Sequence, residues 1–263
     1  AVTLRGGGQS VSLLDVTDPG ASASEATLAT KVMWEFTDRS SPGDADLGYT
    51  FGLPQIGRLN NGRYAVFVPA GYNSDEADGA VGSGRSVLFV LAVEDGTVLK
   101  KFDLGASSQG MAGVNLGDYD ADLIYDVAFG GDLSGKMYRF DLESNAVGSW
   151  CSDLIFQTPA NQAITVTPRI LKDTRGTSGG ADPWDRPGRF IVAFGTGRYL
   201  TQLDKVSNDQ QSYYGLRESG RGLSCGSAAA SYPIPANSLI RQTLTQDAQG
   251  FRKITDNPVT PGK

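Results

Sequence analysis

The chain has 263 residues, a net charge of −6, 40% hydrophobic and 20% charged residues, which is enough for a packed core and unlike a disordered polymer. It carries no clustered Lys/Arg run of the kind that nucleic acid or anionic lipid requires of a main partner, and no apolar stretch approaches the length of a membrane span. Histidine is absent, which excludes Ser-His-Asp triads, His-ligated zinc and most general-base schemes.

Short β-rich runs bounded by Gly, Asn or Asp follow one another along the chain, and helical periodicity is hard to find. A half unit leads, with "VSLLDVTDP" (11–19) and "KVMWEF" (31–36). Four consecutive strands follow: "FGLPQIGRL" (51–59), "RYAVFVPAGY" (63–72), "SVLFVLAVEDG" (86–96) and "TVLKKFDLG" (97–105). The second and third are almost wholly apolar, as expected of strands covered on both faces. A second four-strand unit falls at 110–117, 126–132, 136–142 and 150–157. A third runs through "ITVTPRIL" (164–171), "RFIVAFGTGRYL" (189–200), "QSYYGLRES" (211–219) and "RQTLTQ" (241–246).

The segments "LLDV", "VLAV", "RFDL" and "YGLR" align as third strands of repeating units. Four-stranded repeats that cannot bury both faces alone must stack around an axis. The expected fold is therefore all-β, a β-propeller of four-stranded antiparallel, quinoprotein-like blades. One domain, 1–263, divides into blades at approximately 1–46, 47–107, 108–161 and 162–263. Closed propellers have at least four blades, so about three and a half reads as an interior segment of a longer protein. The inserts 73–85, 172–188 and 220–240 are long enough to be mobile or functional.

The second unit holds the main chemical signal, "GDYDADLIYD" (117–126), at the tip between its first two strands. Asp118, Asp120, Asp122, Ile124 and Asp126 occupy positions 1, 3, 5, 7 and 9 of a curled loop, the seventh offering its backbone carbonyl. All-oxygen donors select Ca²⁺ over transition metals. Leu123 stands where such loops usually have glycine, and Phe129 falls where a bidentate glutamate usually closes them. These departures set an expected dissociation constant on the order of 10⁻⁶ to 10⁻⁴ M. The competing reading is a solvated acidic turn, since Asp is a common turn residue. Four Asp at this spacing favour the metal.

Other signals are weaker. "SDEADG" (74–79) reads as a solvated loop, and the glycines of "RGGGQS" (5–10) and "GSGRS" (82–86) as turn formers. In "FGTGRYL" (194–200), Arg198 is expected to pair with an acidic neighbour at a blade-edge turn. Asp15 and Asp141 recur at matched positions and are expected to accept backbone N–H groups between strands. Cys151 and Cys225 are too few for a zinc cage. They form either a disulfide or two buried thiols, and a disulfide joining one blade's outer strand to the next blade's insert is the expectation.

Taken in order, "LGYTFGLPQIGRLNNGRYAVFVPAGYNS", "LFVLAVEDGTVLKKFDLG", "GDYDADLIYDVAFGGDLSGKMYRFDL" and "FGTGRYL…QSYYGLRES" resemble the C-terminal propeller of the PilY/PilC family of type IV pilus tip proteins over nearly the whole chain. The resemblance implies that the loop at Asp118, Asp120, Asp122, Ile124 and Asp126 binds calcium. It also implies an exported, non-enzymatic protein at the pilus tip and cell surface, capping the fibre with minor pilins. Pilus assembly, twitching motility and adhesion to host cells or abiotic surfaces would follow. Two other classes share the architecture. A quinoprotein dehydrogenase would need a vicinal cysteine pair, which Cys151 and Cys225 are not. A carbohydrate-binding propeller would need exposed aromatic platforms, for which Trp184 is the one obvious candidate.

Overall fold

The computed structural model describes residues 1–4, 8–18, 20, 24–76, 80–173, 189–227 and 231–258. Val, Phe and Leu runs closed by turn residues form strands, and consecutive strands in each sheet pair antiparallel. β1 (Val2–Thr3), β2 (Ser10–Leu14) and β3 (Val32–Thr37) make a three-stranded sheet. β4 (Gln55–Arg58), β5 (Tyr64–Pro69), β6 (Val87–Ala92) and β7 (Val98–Asp103) make a four-stranded meander. β8 (Met111–Gly117), β9 (Val127–Asp132), β10 (Lys136–Asp141) and β11 (Cys151–Gln157) make another. β12 (Arg169–Lys172), β13 (Phe190–Gly195) and β14 (Tyr213–Arg217) form a further three-stranded sheet, and β15 (Leu244–Gln246) pairs with β16 (Arg252–Ile254).

Strand geometry sends successive side chains to opposite faces, and here both faces are covered. In β5, Ala65 and Phe67 pack with Leu88, Val90, Val114, Leu116 and Phe140 of one cluster. The alternate residues Val66 and Val68 join Val11, Leu13, Trp34, Phe36 and Phe89 on the other side. The next sheet repeats the division. Ala128, Tyr138 and Phe140 face back toward the first meander. Val127, Phe129 and Met137 face forward to Phe190, Val192, Phe194 and Leu216 of the following sheet. Three apolar seams therefore join four sheets face to face, and each fully buried Val, Leu or Phe contributes about 1.5–3 kcal/mol to its seam. This is propeller stacking. It explains why the central strands read as continuous apolar runs and not as alternating ones.

Close approach between neighbouring sheets requires glycine at particular points. A Cβ on Gly57 of β4 would lie 2.4 Å from Tyr125 Cδ2, in the hairpin of the next sheet. The Tyr125 N–H donates to the Arg58 carbonyl at 2.9 Å beside it. The acidic hairpin is thereby held against the preceding sheet.

Three details differ from the sequence expectation. "RQTLTQ" does not supply a fourth strand to the sheet β12–β14. Its β15 pairs only with β16, because the intervening turn closes locally: Asp247 accepts from the backbone N–H groups of Gln249 and Phe251. Leu244 in that hairpin is 61% exposed. The leading unit has a third strand, β1, paired with β2 through Val2 and Ser12. A five-residue helix, α1 (Glu25–Ala29), precedes β3, with the Ser24 hydroxyl capping the Thr27 N–H at 3.2 Å. Among the described residues no helix is long and apolar enough to cross a membrane.

Candidate metal centre at an acidic hairpin

The loop between β8 and β9 is organised around Asp118. Its Oδ1 accepts from the Asp120 and Ala121 N–H groups at 3.2 and 2.6 Å, and its Oδ2 from the Leu123 N–H at 2.8 Å. Wrapping the chain around one carboxylate forces Ala121 and Leu123 into the left-handed region, at φ 63° and 68°. Leu123 thus takes the conformation that a glycine would adopt more easily, at a backbone cost of about 1–2 kcal/mol. Its side chain meets no obstacle, being 81% exposed.

Asp126 closes the loop from inside. It is 1% exposed; its Oδ2 accepts from the Tyr119 N–H at 2.9 Å and its Oδ1 from Asn60 Nδ2 at 3.4 Å. Loss of hydration raises the pKa of this carboxyl, against the smaller opposing effects of those hydrogen bonds and of Arg221. One carboxylate oxygen each from Asp118, Asp120 and Asp126 lie within 4.8 Å of one another. Asp122 stands outside this trio. Its Oδ1 accepts from the Ile124 N–H at 2.8 Å, which ties both residues to the turn. Three converging carboxylate oxygens, with no sulfur or imidazole, form a donor set that fits a hard divalent cation such as Ca²⁺.

Groups distant in sequence set the surroundings of this trio. Arg221 Nη1 pairs with Asp120 Oδ2, and its Nε lies 3.5 Å from Glu143 Oε2. Burial pulls the Arg221 pKa down, but the Asp120 bond and neighbouring carboxylates more than reverse this and leave it raised. The same interaction outweighs desolvation at Asp120 and lowers its pKa. Tyr119 points inward, stacking on Phe190 at 5.1 Å and donating its hydroxyl to Glu218 at 3.2 Å. Glu218 also accepts from the N–H groups of Phe190 and Gly220, and lies 3.8 Å from the buried guanidinium of Arg139. Desolvation dominates at Glu218 and raises its pKa. Asn60, Arg221 and Glu218 carried no local sequence signal as members of the site, since each reaches it only through tertiary packing, whereas Tyr119 sits within the loop itself and donates its N–H to Asp126.

The remaining candidates resolve as structural groups. Arg198 pairs with Asp204 at 2.8 Å, and Asp204 also accepts from the Leu200 and Thr201 N–H groups. Asp15 and Asp141 accept the N–H of Thr17 and Glu143, two residues on, in the segments that lead from β2 to β3 and from β10 to β11, as expected of groups that accept backbone N–H between strands. Cys151 and Cys225 are disulfide-bonded, with Cα atoms 6.0 Å apart. Trp184 lies outside the described residues, as do parts of "RGGGQS" and "SDEADG".

Stacked antiparallel sheets, with a carboxylate-lined hairpin between the first two strands of one of them, define a β-propeller bearing a candidate oxygen-donor cation loop. Residues 2–255 match the family described as "PilY1 beta-propeller domain", and the chain belongs to that family. It is 30% identical over 245 residues to a type IV pilus biogenesis factor PilY1 homolog of Xylella fastidiosa, covering 87% of this chain and 15% of the relative. It is 28% identical over 298 residues to type IV pilus biogenesis factor PilY1 of Pseudomonas aeruginosa, covering 98% of this chain and 23% of the relative. The crystal structure of the Pseudomonas aeruginosa PilY1 C-terminal domain aligns with a TM-score of 0.70 at 26% identity, over 98% of this chain and 54% of that one. The chain thus spans less than a quarter of the length of these two curated relatives.

Proposed function

We propose that this chain is the calcium-binding propeller module of a type IV pilus biogenesis factor, and that it works by binding and assembly, not by catalysis. Family membership and relatives named as pilus biogenesis factors support the pilus role. In this reading the module is exported and held at the pilus tip, at the cell surface. There it engages minor pilins and supports fibre assembly, twitching and attachment to host cells or abiotic surfaces. The Cys151–Cys225 disulfide is in keeping with an oxidising compartment.

The convergence of the Asp118, Asp120 and Asp126 carboxylates carries the calcium part. Bound Ca²⁺ would supply positive charge to this trio, to which Arg221 already contributes through Asp120. Asp126 and Asp120 would act as direct ligands. Asp118 would hold the loop curled with its hydrogen bonds while lending an oxygen to the metal. The test is to place Asp126→Asn in the full-length protein and to measure sheared surface pili and twitching zones in a strain lacking the native copy. Pili should be retained or lost in a calcium-dependent way with the wild-type protein, and that dependence should vanish in the variant. Identical calcium responses from both proteins would refute the proposal.

A further inference from the structure

We infer that the segment from Glu218 to Gly226 is a strap whose Arg221 competes with the metal for Asp120, so that metal occupancy and strap position are linked. This rests on the calcium reading of the acidic hairpin and adds a regulator to it.

The strap is fixed at several points along its length. At one end Glu218 is buried, accepting from the Phe190 and Gly220 N–H groups. Further along, the Gly222 N–H donates to Glu143 Oε1 at 2.9 Å, and the Leu223 carbonyl accepts from Arg139 Nη1 at 3.4 Å. At the far end Cys225 is bonded to Cys151, and the Gly226 N–H donates to Asp153 Oδ1 at 2.8 Å. Arg221 lies between these anchors, so its guanidinium is delivered to Asp120 by the fold and does not find it by chance.

A guanidinium and a dication cannot share one carboxylate without repulsion. When Asp120 turns to the metal, Arg221 must leave it. Glu143, 3.5 Å from Arg221 Nε, is a second partner already in place, so release leaves no bare charge. The exchange therefore costs little, which is what a reversible device requires. Coupling between two sites is reciprocal: calcium weakens the hold of the strap on the hairpin, and the strap weakens calcium.

Calorimetric titration of CaCl₂ into the wild-type chain, Arg221→Gln and Arg221→Lys tests this, with thermal melts confirming that each is folded. Arg221 is partly exposed, and its loss removes no buried contact. Losing one exposed ion pair and a nearby positive charge should tighten calcium binding by about three- to tenfold in Arg221→Gln. Arg221→Lys, which keeps the charge, should stay within about twofold of wild type. Tighter binding in the Gln variant alone supports the strap. Unchanged or weaker binding there, with wild type binding normally, overturns the competition and leaves the calcium reading standing. Absence of binding in both wild type and Arg221→Gln overturns both.

Discussion

The hydroxyl of Tyr119 donates to Glu218 across 99 residues of sequence, joining the acidic hairpin to the sheet that follows it. Tyr119 lies between two of the proposed metal ligands, yet it is buried and faces away from them, into the seam occupied by Phe190. The hairpin tip therefore carries exposed Asp120 and Asp122 beside half-buried Asp118, mounted on an interior anchor.

Tyr119→Phe keeps the stacked ring and removes only the donor. Glu218 then loses one of its partners inside the fold, which should destabilise the protein by about 1–3 kcal/mol. Denaturant unfolding of variant and wild type measures this; a change within error would mean that the hydroxyl is not a structural anchor.

Arg139 is a buried cation, 1% exposed, with Asp141 at 3.5 Å, Glu143 at 3.7 Å and Glu218 at 3.8 Å. Arg139→Met would leave Glu218 buried without its cation. Breaking a buried pair from one side costs about 3–5 kcal/mol, so this variant should be among the most destabilised single substitutions in the chain. Replacing Arg139 and Glu218 together by apolar residues should recover part of the loss, and the double-mutant cycle measures how much.

The Cys151–Cys225 bond closes a long loop, its ends 74 residues apart in sequence. The double Cys→Ser variant should lose roughly 2–4 kcal/mol. Unreduced peptide mapping should return a single 151–225 linked species, and the native protein should expose no titratable thiol.

Lys101 Nζ bridges Asp44 at 2.8 Å and Asp46 at 2.7 Å. Burial pushes the Asp46 pKa up, but its bonds to Lys101 and Ser83 prevail and hold it below 3.8. Burial likewise lowers Lys101, and the two carboxylates more than restore it, to above 10.5. The carboxylate's contribution is present above its ordinary value and is lost as pH falls through the lowered one. The lysine's contribution is present below 10.5 and is lost as pH rises through the raised value. Lys101→Met should thus cost about 0.5–1 kcal/mol at neutral pH, with the difference from wild type shrinking toward pH 2. A difference that persists undiminished in acid would trace to packing against Phe89, over which Lys101 sits at 5.6 Å.

The blade strands were legible because burial on both faces writes long apolar runs into the sequence. The runs at 63–72 and 86–96 contain β5 and β6, and the expected strand at 126–132 coincides with β9 to within a residue. β15 misled because "RQTLTQ" has strand-forming residues while its partner choice depends on the Asp247 turn. The acidic residues were legible as a cluster, but their geometry was not. Equal spacing gives Asp122 the same standing as Asp120, whereas the left-handed turns at Ala121 and Leu123 direct Asp122 onto the Ile124 N–H. Arg221 was invisible because nothing local to residue 221 indicates that the disulfide and the buried Glu218 deliver it to a loop 101 residues earlier.

The calcium-dependent shift in melting temperature, compared across wild type, Asp126→Asn and Asp122→Asn, tests the central claim most directly. Ligand at free concentration L that binds only the folded state stabilises it by RT ln(1 + L/Kd), which grows with the logarithm of ligand concentration once that exceeds Kd. At millimolar CaCl₂ the wild type should melt several degrees higher than in chelator, as expected for a dissociation constant on the order of 10⁻⁶ to 10⁻⁴ M. Asp126→Asn should lose that shift and Asp122→Asn should keep most of it, because Asp126 belongs to the converging trio and Asp122 does not. A wild-type protein whose melting temperature is indifferent to calcium, or an Asp126→Asn variant that responds as fully as wild type, would contradict the account.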